Sequence, residues 1–153
     1  MGNFSVPKIG QANSKCCWLA CYQMMYGWQN RPTSDPYRLA KQAGLSTTSG
    51  LYSEDWGKAR NAMQLTSYRV GYLTEQAENL TYILDKHGPM WCAGNFLKPY
   101  MDPHAIVISG YDGETLRISD PYEIYKYDSF DYMTWSQWRK LVKNLAFACQ
   151  VWF

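Results

Sequence analysis

The sequence is poor in histidine, with only His87 and His104 among 153 residues, so any chemistry needing an imidazole must use one of these two. It has no stretch approaching the ~20 apolar residues of a membrane span and no apolar N-terminal segment of secretory type, which leads us to expect no membrane span and no signal peptide. Gly2 invites a myristoyl group, but Val6 stands where that motif needs serine or threonine. No basic run exceeds Arg139-Lys140 and the net charge is only +2, which argues against a nucleic-acid partner. The five cysteines (16, 17, 21, 92 and 149) are odd in number and lack the two-pair spacing of a metal site. Free thiols in a reducing compartment, with no metal or cofactor, are expected.

What is present describes a globular chain. Hydrophobic residues make up 46% and charged residues 18%, a balance that excludes disorder. A chain of this length can bury about 70% of the surface exposed when unfolded, enough for one domain without staples. No repeat, linker or low-complexity tract divides it, so residues 1–153 read as a single domain.

Leu19, Ala20, Cys21, Met24, Met25 and Trp28 recur at spacings of three and four, predicting a buried central helix over 17–29 with Asn13 and Ser14 as cap candidates. Shorter helices are predicted over 35–41, closed by Gly44, over 53–63, capped by Ser53, and over 75–86, capped by Thr74 and stopped by Gly88-Pro89. Strand-like runs then follow at 90–96, 104–111, 114–120, 124–127 and 146–152, with a last helix opened by Thr134 and running through 143. Helices first and strands later give an α+β layout, a helical N-terminal part whose central helix packs on a C-terminal antiparallel sheet.

The chemistry concentrates in Gln11-Ala-Asn-Ser-Lys-Cys16-Cys17-Trp18. A thiol at the mouth of an apolar helix sits where the helix N-terminus favours the thiolate, and an amide six residues upstream can donate to an oxyanion. Cys17 is the predicted nucleophile and Gln11 the predicted oxyanion donor. Cys16 is the adjacent rival. Cys21, Cys92 and Cys149 read as apolar packing. Of the two histidines, His87 ends a predicted helix, where a cation complements the dipole. His104 starts the apolar run Ala105-Ile106-Val107-Ile108, where an imidazole is costly without a partner, and it is the predicted base.

Asp120, in Ser119-Asp120-Pro121, is the predicted third member. A two-residue Asp112-Gly113 turn would put His104 and Asp120 on opposite faces. A three-residue Tyr111-Asp112-Gly113 loop with Gly113 left-handed would set them directly across from each other, and this is the expected arrangement. Trp135 is a candidate shield for the His104–Asp120 pair, with a plain core role as the default, and Asp102 is a candidate to tune His104.

The relative positions of Gln11, Cys17, Trp18, His104 and Asp120-Pro121 resemble those of papain-like cysteine proteases, most closely their short bacterial effector and toxin branch. The resemblance implies a papain-like fold and endopeptidase action on protein substrates by a Cys17, His104 and Asp120 triad. It also implies a bacterial toxin or effector, secreted or injected into the cytoplasm of a target cell and neutralised by a separate immunity protein. Asp120 replaces the asparagine of papain itself. The chain also resembles peptidases that trim bacteriocin leaders, although those place glycine where Trp18 stands. The same triad would serve a deamidase, a transglutaminase-like enzyme or a peptidoglycan amidase.

Overall fold

The computed structural model describes residues 2–11, 15–96, 103–122 and 131–153. Helix α1 (Cys17–Trp28) runs through the centre, buried from Cys17 to Tyr22 and again at Met24, Met25 and Tyr26. A helix apolar on nearly every side has to be surrounded. It packs on α2 (Asp35–Gln42) and against two sheet strands, β3 (Met90–Gly94) and β4 (His104–Asp112). Tyr22 stacks on Trp91 with ring centroids 5.1 Å apart, and the Trp91 indole N–H donates to the Trp18 carbonyl at 3.2 Å, so the helix is fixed to β3 in both position and rotation.

One antiparallel sheet carries the other half. Besides β3 and β4 it comprises β1 (Gly2–Asn3), β2 (Thr66–Ser67), β5 (Thr115–Ser119), β6 (Asp131–Thr134) and β7 (Cys149–Val151), in the order β2-β7-β3-β4-β5-β6. Strand β1 pairs with the far end of β4, Gly2 opposite Tyr111, beyond the point where β3 stops at Met90 opposite Ile108. The buried Gln150 ties β7 to the helices. It accepts from the Tyr22 hydroxyl at 2.7 Å and donates to the carbonyls of Trp56 and Phe147. A buried amide with its partners in place costs little and fixes the packing.

The α+β expectation holds, while several boundaries move. The helix expected over 53–63 is a 3-10 turn (Ser53–Asp55) followed by α3 (Trp56–Met63), and Ser53 makes no side-chain cap. The helix expected over 75–86 is α5 (Ala77–His87), and a short helix that was not expected, α4 (Val70–Leu73), precedes it. Thr74 closes α4 rather than opening α5, because its hydroxyl finds the Val70 carbonyl at 2.8 Å. Helix α6 (Trp135–Leu141) opens on the predicted Thr134, which forms a reciprocal capping box with Gln137. Strand β7 begins only at Cys149, since Phe147 adopts φ +68°. Strands β1, β2 and β6 are too short to announce themselves, and the run expected at 124–127 lies outside the described residues.

The β4–β5 hairpin departs most from expectation, and it matters most. Asp112 pairs with Thr115, so the loop is the two-residue turn Gly113-Glu114, with Gly113 at φ +60°. Continued without interruption, that register would place His104 and Asp120 on opposite faces. A bulge at Ser109 prevents it. Gly110 pairs with Arg117 but Ile108 pairs with Ile118, so β4 carries one extra residue and every position before it changes face relative to β5. Val107 pairs with Ser119, and one step on brings Asp120 level with Ile106, on the face of His104.

Gly88 ends α5 at φ +91°, with the ring of Trp28 against the place where a Cβ would stand. Gly88→Ala combines backbone strain with a clash, and we expect a loss of about 2–4 kcal/mol, read as a lower urea midpoint at unchanged m-value. An unchanged midpoint would contradict this packing.

Candidate active site

Cys17 is the first residue of α1. The preceding N-cap residue, Cys16, provides no side-chain cap, and no acidic residue occupies the first turn, so the positive end of the helix is directed at the sulfur. The cap candidates Asn13 and Ser14 lie outside the described residues. The two adjacent thiols diverge. Cys16 Sγ donates to the Thr47 carbonyl at 3.2 Å, whereas Cys17 Sγ accepts the backbone N–H of Ala105 at 3.4 Å. That N–H belongs to the residue after His104, so the sulfur is seated beside the histidine.

His104 is fully buried at the start of β4 and its Nε2 lies 2.7 Å from Asp120 Oδ1. The same carboxylate oxygen accepts the Tyr122 backbone N–H at 3.0 Å, which locks its rotamer. The second ring nitrogen, Nδ1, is buried and has no conventional hydrogen-bond partner among the described residues, and the neighbouring group acting on the ring there is the Cys17 sulfur. Burial disfavours the charged imidazole, but Asp120 and Cys17 together outweigh it and push the His104 pKa up to about 9. At neutral pH the ring is an imidazolium between a carboxylate and a sulfur. His104 and Asp120 are thus in contact, but not directly opposite: His104 pairs with Gly94 on β3, and Asp120 reaches it diagonally.

Gln11 is half-buried, and its backbone N–H donates to the Pro121 carbonyl at 3.3 Å, one residue beyond Asp120. The N-terminal arm therefore ends beside the His104–Asp120 pair. The other candidates have structural places. His87 Nε2 pairs with the Tyr68 hydroxyl at 2.7 Å at the end of α5. The Trp135 indole N–H donates to the Leu73 carbonyl at 3.1 Å, which makes it a core anchor. Asp102 lies outside the described residues. Cys21, Cys92 and Cys149 are buried and none of the five cysteines is in a disulfide; burial pushes the Cys92 thiol up to about 12.

A groove of ≈ 680 Å³ opens beside Cys17. Trp18, Trp56, Trp91, Ala93 and Ala105 line its depth, the loop from Ser49 to Glu54 forms one lip, and Pro103, Lys143 and Leu145 form the other. Sequence reasoning missed these lips. The run Ser46-Thr-Thr-Ser-Gly50 reads as loop, and it is tied to the site by the Trp18 indole N–H bonded to the Ser49 carbonyl at 2.9 Å and by Cys16 Sγ bonded to the Thr47 carbonyl. Among the described residues no three His, Cys, Asp or Glu side chains cluster to hold a metal, and no helix is long and apolar enough to cross a membrane.

A central helix with a cysteine at its N-terminus, packed on an antiparallel sheet whose strand carries a buried histidine, defines a papain-like cysteine peptidase. The chain belongs to the family described as papain-like cysteine protease AvrRpt2, whose model matches residues 1–138. Its fold is also that of a double glycine motif protease from an AMS/PCAT transporter, solved in complex with the leader peptide, with a TM-score of 0.60 at 18% identity over 98% of this chain and 92% of that one. No curated protein matches the chain. The protein is a cysteine peptidase, a hydrolase.

The raised His104 pKa links pH to stability. The folded value lies above the ordinary 6.5, so the ion pair stabilises fully below about 6.5 and its contribution is lost as pH rises through about 9. The shift corresponds to ~3 kcal/mol. Asp120→Asn keeps an acceptor for Tyr122 but loses the charge. We expect wild type to exceed it by ~2–3 kcal/mol at pH 6, the gap closing above pH 9, in urea unfolding across that range; a pH-independent gap would contradict the ion pair.

Proposed function

We propose that the protein is an endopeptidase in which Cys17 is the nucleophile, His104 the acid and base, Asp120 the group that orients His104, and Gln11 an oxyanion donor. The observation that supports this best is the contact at 2.7 Å between a buried imidazole and Asp120, with the Cys17 sulfur resting on the N–H of the next residue at the edge of an open groove. The Cys17 thiolate attacks the scissile carbonyl carbon while His104 keeps its Nε2 hydrogen bond to Asp120. The oxygen becomes an oxyanion, for which the Cys17 backbone N–H and the Gln11 amide are the proposed donors. As the C–N bond breaks, the His104 Nδ1 proton passes to the leaving amine. The acyl group remains on sulfur as a thioester. Neutral His104 then takes a proton from water, whose oxygen attacks the thioester and releases the carboxylate and the thiolate.

The substrate is a protein segment lying extended in the groove. The solved neighbour was captured with a leader peptide, which is consistent with a peptide occupant. We further propose a bacterial toxin or effector that acts in the cytoplasm of a target cell and is restrained by a separate immunity protein, a reading carried by the resemblance of the Cys17, His104 and Asp120-Pro121 motifs. A deamidase, transglutaminase-like enzyme or amidase would use the same sulfur chemistry. Mass spectrometry of treated proteins separates them: backbone breaks support the peptidase, and a change of about one mass unit without a break supports deamidation.

Cys17→Ala should lower cleavage of a protein substrate by at least about 10⁴-fold and abolish growth arrest on expression in a bacterial cytoplasm, while Cys16→Ala keeps most of both. The reverse pattern would assign the chemistry to the neighbouring thiol.

A further inference from the structure

The Ser109 bulge is held by polar groups that have no place in the reaction chemistry. Only four polar residues, His104, Ser109, Ser119 and Gln150, are buried among the described residues, and two of them meet at the bulge. The Ser119 hydroxyl donates to Ser109 Oγ at 2.9 Å, and Ser119 is the residue before Asp120. Arg117, half-buried on β5, donates through Nη2 to the Ser109 carbonyl at 2.9 Å and to the Phe4 carbonyl at 2.7 Å, and through Nε to Ser109 Oγ at 3.3 Å. The Phe4 backbone N–H returns to the Ser109 carbonyl at 2.8 Å. Strand β1 adds Asn3 opposite Gly110, so the bulge is gripped from both neighbouring strands. A Cβ on Gly110 would run into Asn3 and the Gly2 carbonyl, which leaves no room for a bulkier residue at the join.

A bulge in a buried strand leaves backbone groups out of the ladder, and an apolar neighbourhood would favour removing it by a one-residue slip. Here that slip would carry Asp120 to the wrong face of the sheet. We infer that Arg117, with Ser109 and Ser119, is a positioning device for the active site: its guanidinium holds the extra residue of β4 in place and thereby aims Asp120 at His104. The inference rests on the proposed roles of His104 and Asp120. It adds residues that touch neither substrate nor reacting atoms and explains why a cation is kept against the middle of the sheet, where burial opposes its charge.

Among the described residues, the charged and titratable groups around His104 are Asp120 after β5 and Cys17 on α1, while the Asp120 charge in turn acts on Asp131 of β6. The test follows the His104 imidazole by NMR from pH 5 to 10 alongside kcat and KM, in wild type, Arg117→Met and the double variant Ser109→Ala/Ser119→Ala. In Arg117→Met the His104 midpoint should fall from about 9 to 6.5 or below, with kcat down about 100-fold and KM within about two-fold. The double variant, which removes only hydroxyls, should shift in the same direction by a smaller amount and serves if Arg117→Met does not fold. An unmoved His104 midpoint in the folded variants, even with reduced kcat, overturns the inference, because loss of stability alone would leave the imidazole environment intact. The titration needs no turnover. A wild type that cleaves nothing while its His104 midpoint still depends on Arg117 would defeat the catalytic reading and leave the positioning network standing.

Discussion

A carboxylate reaches a buried imidazole in this molecule because one strand carries an extra residue. The β4–β5 turn sets a register that would separate His104 from Asp120 by the thickness of the sheet, and the bulge at Ser109 reverses it. Period-two geometry makes this an all-or-none matter: a single residue decides which face each side chain occupies. The buried His104–Asp120 contact and the charge it maintains on the imidazole depend on that one insertion.

Much of the site was legible because its chemistry leaves local marks. A cysteine opening an apolar helix, a glutamine shortly before it and a histidine leading a β-branched run are each costly or purposeless in a purely structural reading, and the fold draws Cys17 and His104 together. Hairpin parity in the sequence puts Asp120 on the correct face, but through an expected three-residue loop with Gly113 left-handed. Gly113 is left-handed, but in a two-residue turn, and the missing step of parity comes from Ser109. Nothing in Ile108-Ser109-Gly110 alone announces a bulge, since a serine and a glycine are also compatible with a plain strand. Its stabilising partners lie on β5 and β1, beyond the reach of local sequence.

The elements misread elsewhere failed for the same kind of reason. Thr74 is as good a C-terminal hydroxyl for α4 as an N-cap for α5, and tertiary packing of Val70 and Leu73 made the choice. The strands β2 and β6 are short, the first half-exposed and the second mostly exposed, so they form because β7 and β5 offer partners, not because of their own composition. The groove lips come from three segments distant in sequence, 49–54, Pro103 and 143–145, a juxtaposition that depends on the chain having already folded around α1.

The central claim is that the sulfur of Cys17, and not that of its neighbour, is activated by the imidazolium beside it. Brief treatment of the folded wild-type protein with limiting iodoacetamide near pH 6, followed by peptide mapping, tests this directly, since an unactivated thiol reacts slowly there. The account predicts one adduct per chain, on Cys17, lost when His104 is replaced by alanine. An adduct on Cys16, or labelling of Cys17 only at the slow rate of an ordinary thiol, would contradict it.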